Sequence, residues 1–151
     1  MEKKERDQLL DLVEQSYSQW TEGKSLIIPL EEEKQSYGWL DERAPFGLLV
    51  QNTESDPMFI YANRKAQEIF GYTLAEFLTI PSRKSAPPTK REDREQMLQE
   101  VAKKGIFDGY KGTRIDKQGK LFEISKGSIW KVLDSSGEMI ATAAMIWVEN
   151  Q

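Results

Sequence analysis

The chain has 151 residues, 38% hydrophobic and 30% charged with a net charge of −4, the make-up of one folded domain rather than a disordered chain. It contains neither cysteine nor histidine. That excludes disulfides, thiolate nucleophiles, Cys/His zinc sites, imidazole bases, a Ser-His-Asp triad and haem held by His or Cys.

No apolar run nears the roughly 18–20 residues that cross a bilayer, and "MEKKERDQLL" does not read as a secretory signal. The expected location is the cytoplasm, with no membrane partner. The basic stretches "PSRKSAPPTKRED" and "VAKKG" are short and interleaved with acids, so nucleic acid is not an expected partner either.

Residues 5–22 carry Leu9, Leu10, Val13, Tyr17 and Trp20 at helical spacing, and Gly23 ends that helix. The apolar stripe has two readings: packing on the domain, or a homodimer contact through Leu9, Val13, Tyr17 and Trp20. On the dimer reading, removal of residues 1–22 leaves a folded monomer. A second helix is expected over 30–43, after the extended connector "SLIIP". Residues 1–44 then form an N-terminal helical extension, and 45–149 the compact domain.

Two strands, 46–52 and 58–61, flank the turn-rich "TESDP". "YANRKAQEIFGYTLAEF" (61–77) follows. Asn63 is placed to cap a short helix, Gly71 to end it, and Thr73 with Glu76 to form a capping box for the next. After the loop "TIPSRKSAPP", a box of Thr89 and Glu92 opens a helix over 90–104 with Met97, Leu98, Val101 and Ala102 on its buried stripe, ended by Gly105.

The last third reads as three strand runs, beginning "IFDGYKGTRI", "KLFEISKGSIWKVL" and "EMIATAAMIWVE", joined by the matching turns "DKQG" and "DSSG". Strict alternation puts Phe122, Ile124, Lys126, Ser128 and Trp130 on one face. A bulge near Gly127 is favoured instead, turning Lys126 outward. The order implies an α+β fold, a five-stranded antiparallel sheet with helices on one face.

That order resembles the PAS fold, and "FIYANRKAQEIFGYTLAEF" resembles its signature through Asn63, Ala66, Phe70, Gly71, Tyr72 and Glu76. "DPMFIYANRKAQEIF", "IPSRKSAP", "GIFDGYKGTRI", "GKLFEI", "IWKVLDSSG" and "TAAMIWVE" are similar to the PAS-like MEKHLA domain over roughly residues 38–149. The resemblance implies sensing or protein interaction rather than catalysis. Without cysteine, no cysteinyl-flavin adduct forms; the cofactor is unknown, and a diffusible ligand, a non-covalent flavin or no ligand remain.

Phe59, Tyr61, Ile69, Phe70, Met97, Val101, Phe122, Ile124 and Trp130 are expected in one cluster between sheet and helices. The candidate ligand pocket comprises Tyr61, Asn63, Phe70, Arg83, Tyr110, Phe122, Ser128 and Trp130, with Arg83 reaching over its mouth toward a carboxylate or phosphate. No catalytic residue and no metal site is expected. No kinase, cyclase or DNA-binding segment is read in the sequence, so output is expected in trans, through a homodimer or a protein partner, with a small-molecule ligand as the other expected partner. The competing reading is a small enzyme of the cone-shaped α+β kind, which needs an acid or base inside the cavity.

Overall fold

The computed structural model describes residues 1–26, 36–87 and 91–149. Five helices, α1 (Lys3–Trp20), α2 (Ser36–Glu42), α3 (Arg64–Phe70), α4 (Leu74–Phe77) and α5 (Arg91–Lys104), accompany six strands. The strands are β1 (Gly47–Gln51), β2 (Phe59–Ala62), β3 (Ile106–Asp108), β4 (Gly112–Ile115), β5 (Leu121–Leu133) and β6 (Met139–Val148). The connector beyond Leu26, the first turns of the helix expected over 30–43, and Thr89 of the box expected to open the helix 90–104 lie outside the described residues.

All pairings are antiparallel, in the order β2-β1-β6-β5-β3, and β4 joins the same edge of β5 as β3. There are thus six strands in five lanes, where the sequence predicted five strands. The run 106–115 splits because Tyr110 turns inward, its N–H bonding the Gly127 carbonyl at 2.9 Å, and the ladder is broken from Gly109 to Lys111.

The short helices carry their expected signals. The Asn63 side chain accepts from Ala66 N–H, Thr73 and Glu76 form a reciprocal capping box, and Gly71 closes α3 at φ +79°. A bulge in β5 lies at Ser125, two residues ahead of the expected place, between the pairs Ile124↔Val148 and Lys126↔Trp147. It leaves Lys126 exposed over the Trp147 ring, 4.9 Å from its centroid.

Two cores lie on opposite faces of the sheet. One joins α3, α4 and α5 to the inner face through Phe59, Phe70, Phe77, Val101, Ile124 and Ile129. The other joins Leu10, Val13 and Tyr17 of α1, with Leu40 and Ala44, to Leu48, Tyr61, Trp130 and Val132. Leu10, Val13, Tyr17, Leu26, Leu40 and Ala44, all ahead of residue 45, thus belong to this second core.

The candidate dimer stripe is covered by its own chain. Val13 is fully buried, and Tyr17 meets Trp130 with ring centroids 4.8 Å apart. The Trp130 indole donates to the Val13 carbonyl (3.2 Å), the Trp20 indole to the Lys131 carbonyl (2.9 Å), and Leu133 N–H to Ser16 Oγ (2.9 Å). Leu9 and Trp20 are half-buried against the same core. An apolar face already packed on a sheet has little left to offer a second copy.

Gly105 shows how closely α1 fits. It ends α5 at φ +99°, and a Cβ there would stand 2.5 Å from the Trp20 ring. Gly105→Ala is expected to destabilise the fold by at least about 1–2 kcal/mol from the left-handed backbone alone. Chemical denaturation measures this, and an unchanged midpoint would show that neither constraint is real.

Candidate functional site

On the inner face, α5 does not close completely on the sheet. A cavity of about 40 Å3 remains, walled mostly by Leu49, Phe59, Met97, Leu98, Ile124, Ile129, Ala143, Ala144 and Ile146. Its polar groups are Gln51, Ser85, Arg94, Tyr110, Arg114 and Thr142. That volume holds a few water molecules, so the space between sheet and helices is filled largely by the protein's own side chains. A wider groove of about 330 Å3 lies outside it, and Arg94, Met97, Tyr110 and Arg114 line both spaces.

Local structure explains why these polar groups face inward. Arg94 stands three residues before Met97 and seven before Val101, on the buried stripe of α5. Its Nη2 donates to Gln51 Oε1 at 2.7 Å, tying α5 to β1. Arg114 lies over the Tyr110 ring, 5.1 Å from its centroid, and its Nη1 donates to the Thr113 carbonyl at 3.2 Å. Both arginines are only 8% exposed and Tyr110 only 3%.

Burial governs the electrostatics. Desolvation, then the charge of Arg114, holds the Arg94 guanidinium down to about 10. Desolvation lowers Arg114 as well. Burial pushes the Tyr110 hydroxyl up despite the two cations beside it, so it remains a neutral donor and acceptor at neutral pH. Neither arginine forms an ion pair among the described residues.

Of the eight residues expected in the pocket, Tyr110 alone lines this cavity. Tyr61 and Trp130 face the α1 layer instead. The Tyr61 hydroxyl donates to Asp41, which also binds Arg6 at 3.2 Å. Ser128 follows Trp130 to that face because the bulge inverts the alternation, and its hydroxyl donates to Asp108 Oδ1 at 2.6 Å.

Phe70 and Phe122 belong to the inner core, edge to face at 5.1 Å, but stand away from the gap. The Arg83 side chain is 43% exposed and pairs with Asp56 at 3.0 Å, a surface ion pair rather than a reach over the mouth.

Asn63 is fully buried but saturated. Its Oδ1 accepts from Leu48 N–H (2.9 Å) and Ala66 N–H (3.0 Å), and its Nδ2 donates to the carbonyls of Leu40 (2.9 Å) and Phe46 (3.1 Å). Nothing is left over for a ligand. Sequence reasoning missed Gln51, Arg94 and Arg114. Arg94 did carry a signal, a charged residue in register with a buried helical stripe.

Known structures share this architecture. A PAS domain from Colwellia psychrerythraea gives a TM-score of 0.68 at 15% identity, over 77% of this chain and 95% of that one. A light-oxygen-voltage domain studied with a flavin analogue gives 0.62 at 15% identity, over 80% and 87%. A blue-light activated histidine kinase from Erythrobacter litoralis gives 0.61 at 15% identity, over 71% of this chain and 34% of the kinase. The fold is that of the PAS class. Within it, the chain belongs to the MEKHLA domain family, whose profile matches residues 7–148 and so takes in most of α1. No curated protein matches the sequence.

Proposed function

We propose that this chain is a non-enzymatic cytoplasmic sensory module that admits a small molecule between the inner sheet face and α5 and relays its presence to a protein partner. The observation that carries this reading is a largely apolar cavity that shares the polar groups Arg94, Tyr110 and Arg114 with an outer groove. The α5 wall can respond because Met97 is an adaptable, unbranched side chain. The relay has a physical route: β5 supplies Ile124 and Ile129 to the cavity and Trp130 and Val132 to the α1 layer.

The reading as a small enzyme finds less support. Among the described residues the lining of the inner cavity includes no carboxylate; Asp93 and Glu123 line the outer groove instead. General acid–base chemistry would lack a group poised near neutral pH.

Native mass spectrometry of freshly purified protein tests the proposal. A retained small molecule is expected, or uptake of one when the stripped chain meets a metabolite extract. A chain that stays at its bare mass in both experiments overturns the ligand reading.

A further inference from the structure

We infer that the cavity mouth is an anion site, where Arg94 and Arg114 hold the carboxylate or phosphate of a small organic molecule whose body enters the apolar cavity. This deepens the reading above and rests on it. Two guanidiniums, each only 8% exposed, line the same cavity, and neither has a carboxylate within 4.0 Å among the described residues.

Among the described residues their hydrogen bonds go to neutral groups. A guanidinium offers five N–H donors. Arg94 uses its side chain on Gln51 and Arg114 on the Thr113 carbonyl and the Tyr110 hydroxyl, with the Tyr110 ring face beneath it. The groove's nearest acid on β5, Glu123, accepts from Thr113 Oγ1 at 2.7 Å. Buried charge of one sign without a partner is costly, and an anion between the two forks removes that cost by charge-assisted, bidentate bonding.

Space limits the ligand. The inner cavity of about 40 Å3 admits little more than a short apolar group unless Met97 moves, while the groove of about 330 Å3 takes a larger polar body.

Thermal unfolding of the full chain in low-chloride buffer tests the inference with three probes: butyrate, inorganic phosphate and the neutral isostere butyramide. At least one anion is expected to raise Tm saturably, and the amide to leave it unchanged. Arg114→Met is expected to abolish the response while leaving the unliganded Tm unchanged or higher. Arg114→Lys, which keeps the charge but loses the fork, is expected to weaken apparent affinity roughly tenfold.

Arg83→Ala is expected to keep the wild-type response. No rise with either anion, or an undiminished rise in a folded Arg114→Met or Arg114→Lys variant, overturns the anion site. A response to butyramide alone also overturns it while leaving the ligand cavity standing. Failure of all three probes together with a bare mass in native spectrometry sinks both readings.

Discussion

Replacing Asn63 with alanine is expected to destabilise the protein by about 3–5 kcal/mol. At this chain length that lowers Tm by roughly 6–20 °C. The side chain is fully buried and satisfies four main-chain groups from three directions: the end of α2 through Leu40, β1 and the residue ahead of it through Leu48 and Phe46, and the first turn of α3 through Ala66. Alanine leaves two N–H groups and two carbonyls without that partner in a region water does not reach.

Asn63→Asp is the sharper companion. It retains the cap but turns a carboxylate oxygen toward two carbonyl oxygens, so it also loses stability. Denaturant unfolding measures both variants, and a loss below about 1 kcal/mol for alanine would mean ordered water replaces the amide.

Deletion of residues 1–22 is expected to leave no cooperatively folded domain, the opposite of the result anticipated on the dimer reading. Leu10, Val13 and Tyr17 are buried on the sheet, and each large side chain contributes roughly 1.5–3 kcal/mol, together about 5–9 kcal/mol. A domain's whole stability is about 5–15 kcal/mol.

The deletion also removes Arg6 from Asp41 and uncovers Trp130 and Val132. Loss of near-UV circular dichroism with binding of a hydrophobic dye is the expected signature. A truncated chain with a sharp near-UV spectrum and a cooperative melt would show that α1 is dispensable.

Several helix starts and stops were legible from local signals. The caps made by Asn63, Gly71, the Thr73–Glu76 box and Gly105 involve neighbours within a few residues, so they could be read directly; the bonds from Asn63 to Leu40, Phe46 and Leu48 could not. The strands of the last third were legible too, apart from the break at Tyr110. Which layer each strand residue faces was not.

Both sheet faces are buried, so an apolar residue on β2 or β5 fits either core, and alternation alone cannot tell them apart. The bulge at Ser125 then reversed the assignment of Ser128 and Trp130. Arg83 drew attention because it sits in a loop near the expected mouth, whereas Arg94 and Arg114 are hidden in regular elements. Long-range packing decides such placements, and it leaves little trace in local sequence.

All four tryptophans, Trp20, Trp39, Trp130 and Trp147, belong to or pack against the core that contains α1, and none lines the cavity. The protein therefore carries its fluorophores in one layer and its candidate binding space in the other. Light emitted by the indoles samples the outer layer only. A spectral change evoked from the cavity would be a disturbance that had passed through the sheet, which makes the native chain its own reporter of communication between the two halves.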